Sequence, residues 1–294
     1  MGILAEKINP NLLDILLKDN TTKKNIIWAT NDYKEFGYEA EQEITTEQVS
    51  VIRTRHEKIR EHQKNRTRDK AEIFTPSWLC NEQNNLIDEA WFGRADVFNR
   101  IIDVKNHTWE ATTEKIFFDG ERSWQNYVEA NRLEVACGEA PYLVSRYDTV
   151  SGDEISIENR IGLLDRKLRV VGENTADKND WIEWSKTALQ SIYGYEFQGD
   201  NLLIARKNIF DTYIEYYKNQ FNENPDQKLL EGIADIISWN LWQMDGLKNI
   251  VPFVKNVYFD LFGGVHEEDI PCKIKDWQNN EKPKYSELCG ERRL

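Results

Sequence analysis

The most constraining feature of this chain is an alternation that begins near residue 132. Short apolar stretches that read as strands are separated by longer stretches of helical character. "RLEVACG" (132–138) starts with Leu133 and Val135 on either side of Glu134 and then turns abruptly through small residues. "DWIEWSKTALQ" (180–190) has the spacing of an amphipathic helix, with Asp180 as its expected cap. "SIYGYEF" reads as a strand, "QGDNLLIARKNIFDTYIEYYKNQF" as a long helix, and "ADIISWNLWQMDGL" as a further strand and turn. "IGLLDRKLRVV" (161–171) is compatible with helix or strand. Strands alternating with helices predict an α/β fold with a doubly wound, mostly parallel sheet.

The first 130 residues are less regular. "NPNLLDILLKD" predicts a helix and "NIIWAT" a short strand, with a polar loop over 31–50. "SWLCNEQNNLIDEAWFG" has helical spacing, entered at Thr75-Pro76. Short strands are expected at 100–104 and 115–119, and an irregular polar tail after 262. These readings divide the chain into an N-terminal helical and basic extension (1–70), an α/β domain (71–262) and a C-terminal tail (263–294).

At 294 residues and 40% apolar, the chain can bury a large core. Its formal charge of −13 argues against gripping nucleic acid with the whole surface. A local exception is 51–70, with eight Lys and Arg against three acids. That stretch reads either as a solvated helix or as an arm contacting DNA phosphates through Arg53, Arg60, Arg66 and Arg68. Four dispersed cysteines predict reduced thiols in a cytoplasmic protein, and no metal site. No signal peptide or membrane span is expected. Around Asp165, "LLDRKLRVV" reads as a surface salt-bridge cluster.

Three acids stand at predicted strand ends: Glu134, Glu196 and Asp245. In a parallel sheet the carboxyl ends of adjacent strands form the crevice where nucleotide-like ligands bind. An acid there can accept hydrogen bonds from ribose hydroxyls. The small Ala136, Cys137 and Gly138 would let the first loop pass close under such a ligand. Each feature also has a plainer reading. The first stretch can be a simple strand-to-turn corner, Asp245-Gly246 an ordinary turn, and Asp200 or Thr75 a helix cap. A different chemistry is offered by Asp103-x-Lys105 in "IIDVKN", half of the acid-x-Lys pattern of metal-dependent nucleases.

Taken in order, these segments resemble the adenine-N6 DNA methyltransferases, and the chain as a whole resembles the M subunit of a restriction–modification system. "LEVACGEAPYL" is similar to the family's first motif, D-P-A-C-G-S-G-N-F-L. "IYGYEFQGDNLLIARKNIF" resembles the second, "NLWQMDGL" the third, and "AEIFTP" the segment that closes over the methionine end of the cofactor. The resemblance spans roughly 70–250. It implies a methyltransferase-type fold that binds S-adenosylmethionine (SAM) and acts on double-stranded DNA. The implied cofactor contacts are Phe74, Thr75 and Pro76, then Glu134, Ala136, Cys137, Gly138 and Pro141, then Glu196 with Phe197, and Asp245.

The sequence departs from the family pattern in several places. Glu134 replaces the first Asp, Val135 the following Pro, and Ala140 the second Gly of C-G-S-G. The family's catalytic N/D-P-P-Y/F is absent, since no Pro-Pro occurs. No catalytic residue is therefore assigned, and a second protein chain carrying that motif, or target recognition, is expected. The rival expectation is a non-catalytic scaffold of methyltransferase fold in a restriction or phage-defence complex.

Overall fold

A computed structural model describes residues 8–58, 75–120 and 122–288. Its centre is a three-stranded parallel sheet in the order β3 (Arg132–Val135), β4 (Ile192–Glu196), β5 (Leu241–Gln243). Glu134 sits opposite Gly194, and Glu196 opposite Gln243, so the strand ends come level. The short α3 (Trp124–Glu129) precedes β3, and α4 (Leu163–Asn174) and α5 (Lys178–Gln190) connect β3 to β4. α6 (Gly199–Phe221) and α7 (Gln227–Asn240) connect β4 to β5. The chain is thus mixed α/β.

Strand periodicity sorts the side chains between two faces. Ile192 and Leu241 enter the large core shared with the helices. Tyr193, Tyr195 and Trp242 point the other way, into a smaller cluster with Val251, Cys272 and Ile274. Leu133 and Val135 lie on that second side and are 44% and 60% exposed.

The N-terminal stretch is part of the same core. α1 (Pro10–Leu17) starts on a proline, is capped by Asn9, and buries Leu12, Leu13, Leu16 and Leu17. "NIIWAT" is mostly buried and forms isolated bridges at Asn25 and Ile27, not a strand. Trp28 stacks on Tyr38, with ring centroids 5.2 Å apart.

Several expectations are corrected. "ADIISWN" is the last half of α7, because Ile233, Ala234, Ile236 and Ile237 are buried at helical spacing; the strand is only three residues long. α5 is capped by Asp177, whose side chain accepts from the Asn179 and Asp180 amides. The stretch 115–119 is irregular; the partner of β1 (Asn99–Asp103) is instead β2 (Thr108–Ala111), in an antiparallel hairpin. Residues after 262 are not irregular throughout. β6 (Ile250–Phe259) pairs antiparallel with β7 (Val265–Pro271), and this hairpin spans the expected boundary at 262/263. α8 (Tyr285–Leu288) follows.

The cluster around Asp165 is also not a surface feature. Asp165, Arg166 and Lys167 are at most 2% exposed. Arg166 pairs with Asp88 at 2.6 Å and also bonds Asn81 and Asn85, all on α2 (Ser77–Phe92). Lys167 donates to the carbonyls of Val128 and Ala130. Burial holds its pKa well below the ordinary lysine value. Charges can be buried when each donor finds an acceptor, and these acceptors come from distant segments.

Candidate functional site

A cleft of about 910 Å³ opens at the carboxyl ends of β3, β4 and β5. Its lining brings together Thr75, Glu134, Ala136, Cys137, Gly138, Pro141, Glu196, Phe197 and Asp245. Pro76 is not part of the lining; it occupies the N-cap position of α2. Phe74 lies outside the described residues.

The first wall is the loop after β3. Glu134 turns inward from its strand, is 8% exposed, and accepts from the Tyr142 and Leu143 amides at 3.4 and 3.2 Å. Burial pushes its pKa up to about 8; the two amides oppose the rise and Glu196 adds to it. Glu196, at the end of β4, accepts from Gly138 N–H at 2.9 Å and Gln198 N–H at 3.0 Å. One carboxylate thereby ties the first loop to the second. Burial, with Glu134 and Glu196 nearby, holds the Cys137 thiol well above its ordinary pKa, which argues against a nucleophilic role.

The third acid serves its own turn as well. Asp245 Oδ1 accepts from the Leu247 and Lys248 amides. The ordinary turn reading and a place in the cleft therefore hold together. Thr75 caps no helix through its side chain. The α2 terminus is instead served by Asp148, which accepts from Ser77 N–H at 2.7 Å. Burial opposes ionisation of Asp148, but that amide and those of Ser151 and Val150 leave its pKa below the usual value.

The opposite wall was not anticipated. Ala29, Thr30, Asn31 and Ala40 line the cleft from the N-terminal stretch. Gln243 holds both backbone groups of Ile27, and Tyr33 donates to Asp200 at 2.9 Å. A Cβ on Gly199 would lie 2.0 Å from the Ile27 carbonyl oxygen, so this approach requires glycine. The sequence signal was "WATNDY", a polar run after a buried apolar one, but nothing local places it at the strand ends.

Left-handed backbone gathers here. Ala29, Ala136 and Phe253 have φ of 51°, 48° and 57°, and all three line the cleft. Such strain in non-glycine residues concentrates at functional sites. Val135, Phe197, Leu247 and Phe253 supply exposed apolar surface, with the Phe197 and Phe253 rings 5.9 Å apart. Among the described lining residues there is no Lys, Arg or His. The cleft therefore suits a ligand with a planar apolar part, hydroxyl or amine donors and positive charge. It does not suit a polyphosphate.

The remaining candidate residues lie apart. Asp103 closes the β1–β2 turn, accepting from the Lys105 and Asn106 amides. Among the described residues no group of three or more His, Cys, Asp or Glu side chains could hold a metal ion. Arg53 donates to the carbonyls of Ser50 and Ile52, while Arg60, Arg66 and Arg68 fall outside the described residues. No described helix is long and apolar enough to cross a membrane. Comparison with protein-family models, curated proteins and solved structures found no match.

Proposed function

We propose that this chain is the SAM-binding part of a DNA adenine-N6 methyltransferase of a restriction–modification system, acting in the cytoplasm. The observation that carries the reading is the convergence of Glu134, Glu196 and Asp245 on one cleft with no lining cation among the described residues. SAM has a planar adenine, two ribose hydroxyls, an ammonium and a sulfonium, and no phosphate. Its chemistry would be methyl donation. Glu196 would accept from the ribose hydroxyls and Asp245 from the adenine amine, with Phe197 beside the ring. Ala136, Cys137 and Gly138 would leave room for the methionine end. In this reading the three strands belong to a doubly wound sheet of methyltransferase type.

Base extrusion and amine capture need groups that the sequence does not offer in the family's form. A second protein chain would supply them, and duplex DNA would meet the basic 53–70 segment locally. Isothermal calorimetry with SAM tests the reading. Saturable binding that is weakened in Glu196→Ala is expected. No binding, with or without DNA, removes the cofactor assignment and leaves the two alternatives, a non-catalytic scaffold and a metal-dependent nuclease using Asp103 and Lys105.

A further inference from the structure

A second cavity, of about 670 Å³, lies between the β1–β2 hairpin, the 157–160 segment and helices α4, α5 and α6. It shares no lining residue with the cleft. Its size falls within the roughly 300–1,000 Å³ of small-molecule sites. Leu168, Trp181 and Tyr216 give it apolar and aromatic walls. α4 passes it with Gly172, although glycine disfavours a helix. A Cβ at Gly172 would stand 3.1 Å from Gln220 Oε1 and 3.8 Å from Trp181 Nε1, two other lining residues. The missing side chain is therefore cavity space.

Two buried polar atoms of this lining, Arg160 Nη1 and Asp165 Oδ1, have no hydrogen-bond partner among the described residues. The Arg160 side chain is 8% exposed. Its Nη2 pairs with Glu215 and its Nε donates to the Ile155 carbonyl, which leaves Nη1 over. Asp165 Oδ2 already accepts from Ser145 and Gly162, which leaves Oδ1 over. Burial raises the Tyr216 pKa well above its ordinary value, Asp165 adds to the rise and Arg160 opposes it, so the three groups meet at one place. The Tyr216 hydroxyl donates to the Ile157 carbonyl at 3.4 Å. Were that proton turned to Asp165, Arg160 Nη1 would still lack an acceptor. Unpaired buried groups are costly, and each calls for a missing partner.

We propose that this cavity binds a free, uncharged nucleobase or nucleoside, whose ring carbonyl accepts from Arg160 and whose adjacent ring N–H donates to Asp165. One buried donor beside one buried acceptor needs a ligand edge with the opposite pair side by side. A ring lactam, as in uracil or guanine, carries both on one edge. A trans peptide unit points them in opposite directions. A flat ring also suits the Trp181 and Tyr216 walls. Charge argues against a phosphorylated ligand. Arg166 and Arg169 line the cavity, but their donors are committed to Asp88, Asn81 and Asn85, and to Glu173, Thr112 and two carbonyls. The exposed Glu110 and Glu158, also in the lining, would repel phosphate. This binding is independent of any ligand in the cleft.

Isothermal calorimetry of the full chain with uridine and with guanosine tests this. At least one should bind with a Kd below about 1 mM. Its analogue methylated at the ring N–H, 3-methyluridine or 1-methylguanosine, should bind at least about tenfold more weakly. Arg160→Lys keeps a charge for Glu215 but removes the spare donor, and should weaken binding roughly tenfold. Gly172→Leu fills the cavity with a better helix former, so it should abolish binding without lowering the melting temperature. Glu196→Ala, in the cleft, should leave binding unchanged. Failure of both nucleosides to bind, equal affinity for the methylated analogue, or binding that survives Gly172→Leu overturns the proposal. A uridine oligonucleotide that binds more tightly than uridine would assign the cavity to a strand and overturn the free-nucleoside reading.

Discussion

Gln243 bonds both backbone groups of Ile27, accepting from its N–H at 2.9 Å and donating to its carbonyl at 2.9 Å. A side chain at the end of β5 thus takes the place of a strand neighbour, and it positions the wall carrying Ala29, Thr30 and Asn31. Ile27 is 4% exposed, so water cannot substitute freely. Replacing Gln243 with Leu should cost roughly 3 kcal/mol, the scale of leaving buried backbone groups unpaired. Urea denaturation measures this; a loss well under 1 kcal/mol would show that the wall holds without the clamp. Gly199→Ala should be at least as damaging, because its added Cβ meets backbone.

The buried Arg166–Asp88 pair makes a second stability prediction. Asp88→Ala leaves a guanidinium without its counter-charge and should cost about 3–5 kcal/mol. The double variant Asp88→Leu with Arg166→Met should recover a substantial part of that loss. Equal losses in the single and double variants would mean that the remaining Asn81 and Asn85 hydrogen bonds, and not the charge balance, dominate.

Glu134 predicts a pH dependence. Its folded pKa of about 8 lies above the ordinary value of 4.5, so the folded state holds the proton more tightly than the unfolded state. The contribution is complete below the unfolded pKa and declines as pH rises through this interval, levelling off above the folded value. Glu134→Gln should flatten the fall and be more stable than wild type in alkaline buffer. Urea midpoints between pH 5 and 9 test this; parallel curves for the two proteins would show that Glu134 is ionised throughout.

Glu196 predicts a ligand effect. Under the proposed function, Glu196→Ala should weaken SAM by about 1.5–3 kcal/mol, as expected for hydrogen bonds to a charged group. Because Glu196 also holds Gly138, Glu196→Gln is the informative companion. Calorimetry in which both variants bind like wild type would remove the carboxylate from the ligand's surroundings.

DNA binding through the basic segment should be local and salt-sensitive. Removing one cation that neutralises a phosphate should flatten the slope of log K against log salt by about 0.9. Reversing Arg60, Arg66 and Arg68 together should reduce both affinity and slope. Unchanged binding would assign the segment to solvent.

Much of the cleft was legible locally. The run ending at Val135, the strand ending at Glu196 and the Asp245-Gly246 turn are each specified by a few adjacent residues. The parallel sheet then brings their ends level. The helix of "DWIEWSKTALQ" was equally local, although its cap lies three residues before the expected one. Where a short apolar run fits both periods, as in "ADIISWN", only the surrounding burial selected helix over strand. Composition likewise placed Asp165, Arg166 and Lys167 on the surface, because local sequence does not show which acceptors will arrive. Arg166 is buried because Asp88, 78 residues earlier, meets it, and Ala29, Thr30 and Asn31 reach the cleft because Gln243, 216 residues after Ile27, holds the backbone just before them. Hydrophobic period and capping act within a few residues, whereas neutralising a buried charge or satisfying a buried amide depends on partners that only the folded chain brings into reach.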